Sequence, residues 1–245
     1  MHQTAFKSSS GLVGLVFALA VLAAGFAGCR PKPPEVVAKV AVQSAPQAID
    51  LVPFSIPGDL TSFNQPGAWS VVPRGRQVLG NVPFQIDTLV QLWGQGGASA
   101  GKAYREAVEN LPVNRKFEVL YMLNGTAYAA SEGDDVMSVL LHYADGTTGK
   151  LTIRYGTQTG DWWQLHSTTQ VNATDPATKV VWRAEDPSVA RYNKSMRFFC
   201  TPLVNPKPAL EVKSLDLVSE KSQAVPLILA LTTGPAGLLT RIFHS

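Results

Sequence analysis

Residues 136–155 constrain the fold more than any other stretch. Val136-Met137-Ser138-Val139-Leu140-Leu141-His142-Tyr143 is a strand-like run, Asp145-Gly146 follows it at once, and Leu151-Thr152-Ile153-Arg154-Tyr155 has period-two texture. An Asp-Gly pair between two such runs is the strongest short-range signal for a β-hairpin. Similar segments recur along the chain: Val82–Ile86, Phe117–Leu123, Val180–Arg183, Arg197–Thr201, Val212–Val218 and Leu227–Thr232. Gly, Pro, Asn and Asp punctuate the intervals between them. About eight or nine short strands separated by turn residues predict a sandwich or barrel, and a mostly antiparallel jelly roll closes them most simply. The one convincing helical pattern is Ala100 to Asn110, expected as a short insertion in a loop. The fold class is therefore all-β: an antiparallel jelly-roll β-sandwich with one short helical insertion and an N-terminal signal helix.

Composition removes several function classes. Apolar residues are 45% and charged residues 16%, which excludes a disordered chain. Twenty glycines and seventeen prolines without a Gly-X-Y period exclude collagen and long helical bundles. A net charge of +3, spread along the sequence, is too weak a basic excess for nucleic acid. Cys29 and Cys200 are the two cysteines, too few for a disulfide framework or a Cys-rich metal site.

The N-terminus carries an address. Residues 1–28 contain no acid, and Gly11 to Ala24 is uncharged and apolar. That is the layout of a secretory signal, with a core short for a membrane span. It ends Phe26-Ala27-Gly28-Cys29, which resembles the lipobox of bacterial lipoproteins, with Phe26 where Leu is usual. The alternative is an ordinary signal peptide or anchor followed by an unrelated cysteine. In the lipoprotein reading a peptidase cuts before Cys29 and the thiol is acylated. Each buried CH2 of chains such as palmitate contributes ~0.8 kcal/mol to anchoring. Arg30 stands where an Asp would resemble an inner-membrane retention signal, which favours the outer membrane. The protein then faces the periplasm or the cell surface. Residues 29–48 begin Cys-Arg-Pro-Lys-Pro-Pro and are expected as a Pro-rich tether. A β-sandwich domain is expected over 49–233 and a peripheral C-terminal tail over 234–245.

A second resemblance lies in the domain. Gly80-Asn81-Val82-Pro83-Phe84-Gln85-Ile86, Pro112-Val113-Asn114-Arg115-Lys116-Phe117, Leu120-Tyr121-Met122-Leu123-Asn124-Gly125-Thr126, Leu141-His142-Tyr143-Ala144-Asp145-Gly146, Asp161-Trp162-Trp163 and Asn205-Pro206-Lys207-Pro208 occur in that order, before Val212 to Ser219. Together they resemble a family of secreted bacterial modules with a galactose-binding-like β-sandwich. Such modules occur alone or beside carbohydrate-active domains. The resemblance covers Ile49 to Thr233 and implies the fold; binding, oligomerisation and purely structural roles all occur on it. The family often has His where Asn124 stands.

Asp161-Trp162-Trp163 is the most informative local motif. Sugars present C–H faces that stack on aromatics and hydroxyls that need carboxylate or amide partners. Asp161, Trp162, Trp163 and Asn124 are the candidate ligand contacts. Against that stands a core role for each ring, because adjacent residues in extended chain face opposite ways. Trp182 is expected in the core. Trp69 and Trp93 lie in Gly-rich surroundings and are expected in the core, with a rim loop the alternative for Trp93, before Gly94-Gln95-Gly96-Gly97. Glu132-Gly133-Asp134-Asp135 raises a structural calcium, a hard ion suited to carboxylates, but an acidic turn accounts for the same residues. Asp145 is explained by its hairpin. No metal or cofactor site is assigned.

Catalytic signatures are missing from the sequence. His142, His166 and His244 follow the leader without a His-Glu-x-x-His spacing, and no Gly-x-Ser-x-Gly or phosphate-loop motif occurs. Cys200 lies in an apolar strand pattern and is expected to be a buried, inert thiol. Asn205, held out of helical space by Pro206, is expected to shape a loop. Two functions stay open, neither enzymatic. One is a membrane-tethered module that recognises a glycan. The other is a structural or protein-interaction lipoprotein of the cell envelope. The partners are the lipid bilayer through Cys29 and either a glycan or an envelope protein, with no nucleic acid.

Overall fold

In the computed structural model, which describes residues 45–55, 71–165, 173–185, 190 and 193–239, the Asp145-Gly146 hairpin forms as expected. Strands β7 (Asp135–Tyr143) and β8 (Thr148–Arg154) pair antiparallel, from Asp135 opposite Arg154 to His142 opposite Thr148. Gly146 supplies the left-handed residue at φ 83°, and its N–H donates to Tyr143 O at 3.0 Å. Asp145 Oδ1 accepts the Thr147 N–H and hydroxyl at 2.9 and 2.6 Å, which locks the turn.

Thirteen strands occur among the described residues. Before the hairpin come β1 (Gln47–Ile49), β2 (Gly75–Leu79), β3 (Val82–Ile86), β4 (Val90–Gln91), β5 (Ala107–Arg115) and β6 (Val119–Ala127). After it come β9 (Trp163–Leu165), β10 (Lys179–Ala184), β11 (Lys194–Val204), β12 (Val212–Ser219) and β13 (Val225–Gly234). They build an all-β antiparallel sandwich. The larger sheet runs β1-β13-β6-β11-β10, with β4 added on β13 and β9 on β11; the smaller runs β5-β12-β7-β8. The chain crosses between the sheets from β5 to β6 to β7 and again from β11 to β12 to β13, while β7–β8 stay in the smaller sheet and β9–β11 in the larger. The hairpin β2–β3 forms a separate two-stranded layer.

The period-two pattern of the central strands feeds two cores. In β6, Leu120 and Met122 face the smaller sheet and meet Leu111, Val139, Leu141, Leu215 and Leu217. Val119, Tyr121 and Leu123 face the other way and meet Phe198, Cys200, Leu227 and Leu229. That outer face is covered by Val82, Phe84 and Ile86 of β3. β6 and β13 are buried along their whole length because both faces are packed. Asn205, next after β11, shapes its loop as expected: its Nδ2 donates to Phe117 O at 2.9 Å, and its Oδ1 accepts the Tyr143 hydroxyl at 2.6 Å and the Lys207 N–H at 3.0 Å.

The helix is not where the sequence pattern puts it. Residues 102–104 are irregular, Arg105 makes an isolated bridge to Leu92, and Ala107 to Asn110 belong to β5. The α-helix whose bounds fall within the described residues is α1 (Gln95–Ser99). Ala, Lys, Arg and Glu favour a helix only weakly, and pairing with β12 overrides that preference. Val108, Leu111 and Val113 are thereby buried. Asn110 takes φ 60° at a break in the ladder, and its N–H donates to Asp216 Oδ1 at 2.8 Å. The glycine that caps the N-terminus of α1 is a packing requirement: a Cβ on Gly94 would lie 2.2 Å from Ala224 O. No helix among the described residues is long and apolar enough to cross a membrane.

The leader 1–28, Cys29, residues 30–44 of the tether, Trp69, His166 and residues 240–245 lie outside the described residues. The last residues of the expected tether are already structured, since β1 opens at Gln47 and pairs with Thr233. The near part of the tail packs too. Leu238 and Leu239 lie on the outer core, and the Tyr121 hydroxyl donates to Pro235 O at 2.7 Å.

Candidate functional site

The Asp161-Trp162-Trp163 motif is woven into the larger sheet. Asp161 bridges Thr126, Trp162 N–H donates to Thr126 O, and Arg197 N–H donates to Trp162 O, each bond 2.9 Å long. β9 then continues antiparallel to β11 from Trp163 opposite Met196. Trp162 is 3% exposed and belongs to the outer core, beside Gly125 and Phe198. Trp163 is half-buried, with its ring centroid 4.9 Å from that of Trp162 at a 44° tilt. Lys194 Nζ lies 4.7 Å from the Trp163 ring centroid, a cation–π contact. Trp162 packs the fold, and Trp163 is engaged by Trp162 and Lys194 rather than offering an open platform. Trp182 also packs against the outer core, stacked on Phe198 at 5.1 Å.

Asp161 sits over a buried charge. Its Oδ1 accepts the Trp163 N–H and its backbone O accepts Arg197 Nε, both at 3.0 Å. Burial pushes its carboxyl up to about 6, against the opposing pull of the Trp163 N–H, Lys194 and Arg197. Arg197 is 2% exposed, the largest fully buried side chain among the described residues. Burial lowers its pKa, and neighbouring Arg183 lowers it further, while Asp161 raises it. Its guanidinium lies 5.0 Å from the Phe199 ring centroid. Arg183 is opposite Arg197 in the ladder and donates to Gln164 Oε1 at 2.6 Å. Burial also raises the Tyr155 phenol. Chemically this cluster is a clamp: one buried cation fastens the β8–β9 connection to β11. The sequence reading missed Arg197 because it heads an apolar run, Arg197-Phe198-Phe199-Cys200.

Asn124, the fourth candidate contact, is 2% exposed between the sheets. Its Nδ2 donates to Met122 O at 3.1 Å and to Thr201 Oγ1 at 2.8 Å. The structure thus brings Asp161, Trp162 and Trp163 together and leaves Asn124 apart, turned inward.

The acidic turn is engaged locally. Asp134 Oδ2 accepts the Ser131 N–H at 3.1 Å, and Asp135 Oδ1 accepts Arg154 Nε at 2.9 Å. Among the described residues no three His, Cys, Asp or Glu side chains converge as metal ligands would. His142 Nε2 lies 2.7 Å from Asp216 Oδ2 on the smaller sheet. Cys200 is fully buried, and burial pushes its thiol far above the ordinary range, which keeps it protonated and inert.

A surface concavity lies elsewhere, beside β1 and the β2–β3 hairpin. Two adjoining hollows, of about 300 and 370 Å³, share Ala48 and Gln85. Arg76 lines the first; Asp50, Asp87 and Thr88 line the second. No sequence signal marks it, because β1 reaches this place only by pairing with β13, at the far end of the domain. No known protein-family model matches the chain, and no curated protein matches its sequence.

Proposed function

We propose that the chain is a lipid-anchored, non-catalytic binding protein of the bacterial envelope, whose galactose-binding-like sandwich recognises carbohydrate. One observation carries this: an uncharged apolar run ends at Phe26-Ala27-Gly28-Cys29, and a Pro-rich stretch follows directly. That arrangement suits a domain held near a bilayer by acyl chains on Cys29. Arg30 after the cysteine favours the outer membrane. The antiparallel sandwich fits the family resemblance. With Trp162 in the core and Trp163 half-buried, polar side chains on the surface support the sugar-recognition reading better than an aromatic platform does.

The anchoring half is tested by metabolic labelling with an alkyne fatty acid. Label on the wild type, lost in Cys29→Ala together with membrane association, supports it; label retained in Cys29→Ala contradicts it. The binding half is tested on a glycan array with the detergent-solubilised full-length protein. Selective binding to one glycan class supports it, and a blank array contradicts it.

A further inference from the structure

We infer that the paired hollows beside β1 form the glycan site, and that they take a neutral oligosaccharide across two consecutive rings. This rests on the carbohydrate-binding reading above and adds the place and the ligand class. The first hollow is lined by Pro46, Ala48, Arg76, Pro83, Phe84 and Gln85. The second continues from Ala48 and Gln85 past Asp50 to Asp87 and Thr88. Their volumes, about 300 and 370 Å³, stand at the lower end of small-ligand sites, enough for a sugar ring in each.

The lining has the two chemistries a sugar needs. Pro46, Ala48 and Pro83 give rigid apolar surface against which C–H faces can lie. Arg76 and Gln85 stand opposite each other in the β2–β3 ladder, so both come from one rigid hairpin. Gln85 Nε2 donates to both carboxylate oxygens of Asp87, at 2.8 and 2.9 Å. That contact orients the amide and leaves its Oε1 to accept a sugar hydroxyl. Asp50 is similarly fixed, because its Oδ1 accepts the Val52 N–H at 2.9 Å. Preset acceptors cost little ordering on binding. Two carboxylates against one guanidinium make the lining acceptor-rich and net negative. Hydroxyl donors suit it, and a uronate or sulfate would meet like charge.

The floor is well supported. Ile49 and Phe84 are buried, and the Thr232 hydroxyl donates to Pro83 O at 2.7 Å, fastening β3 over β13. The rim residues Asp50, Arg76, Gln85 and Asp87 are exposed, so they can be exchanged without opening a core.

The test uses full-length protein in detergent micelles. A glycan array picks the strongest neutral oligosaccharide, and calorimetric titration with it compares the wild type with Arg76→Ala, Gln85→Ala and Asp87→Asn. Lys213→Ala, at an exposed position of β12 in the smaller sheet, is the control. We expect at least tenfold weaker binding in each rim variant, unchanged melting temperatures and an unchanged control. Wild-type affinity in all three rim variants would overturn the site while leaving carbohydrate binding intact. Array signal confined to uronates or sulfated glycans would overturn the ligand class. A blank array would overturn the functional reading itself, and the site with it.

Discussion

The two ends of β11 bury polar groups in opposite ways. At the Asn205 end the groups are neutral and their bonds are reciprocal: the amide and the Tyr143 hydroxyl satisfy each other and the Phe117 carbonyl. At the Arg197 end a full charge is buried, held by one backbone carbonyl and an aromatic face, with the Asp161 carboxyl nearby. Neutral networks cost little once every partner is met, whereas a buried ion depends on its counter-charge. The first end should therefore be indifferent to pH and the second should respond to it.

Arg197→Met should have the largest effect. It leaves Asp161 buried beside a lost cation, so urea unfolding at pH 7.5 should show a loss of about 3–5 kcal/mol. The loss should shrink at pH 4.5, where the carboxyl is protonated. An equal loss at both pH values would mean that Arg197 matters for its packing alone.

Next comes the pH dependence of the wild type. The Asp161 carboxyl is raised in the folded state to about 6. Its contribution is fully present below the ordinary carboxylate pKa and is lost as pH rises through about 6. Relative to Asp161→Asn, which keeps an oxygen for the Trp163 amide, the wild type should lose on the order of 3 kcal/mol between pH 4 and pH 7. Parallel stability curves would remove Asp161 from the account.

Asn205→Ala should cost about 1–3 kcal/mol by stranding the Phe117 carbonyl and the Tyr143 hydroxyl. Unlike the Arg197 effect, it should be the same at pH 4.5 and 7.5. The smallest change belongs to the exposed Lys221–Glu106 pair, 2.7 Å apart with both side chains more than half exposed. Lys221→Ala should alter stability by about 0–1 kcal/mol, and a loss as large as that of Arg197→Met would show that surface charge matters as much here as the buried pair.

The architecture was legible where strands are long enough to have a period. Val82–Ile86 alternates visibly, Val136–Tyr143 and Val212–Val218 are long apolar-rich runs, and their strands lie there. β1, β4 and β9 span two or three residues each and have no period to read. β2 had an unused signal: Gly80-Asn81, both at positive φ, makes the tight turn of a two-residue hairpin. β5 was hidden by helix-favouring residues whose strand pairing is with β12, far along the chain. At the candidate site, sequence identified Asp161 and the two tryptophans but not which way the rings face. The Arg197–Asp161 contact spans 36 residues and the β1 hollow depends on a still longer pairing, so neither leaves a local trace.

The central claim is that this sandwich is held at a membrane through Cys29. Intact mass spectrometry of the protein purified from membranes tests it directly. A mature chain beginning at Cys29 and carrying the mass of diacylglycerol is the result expected. A chain beginning at Met1, or at any residue other than an acylated Cys29, would contradict it.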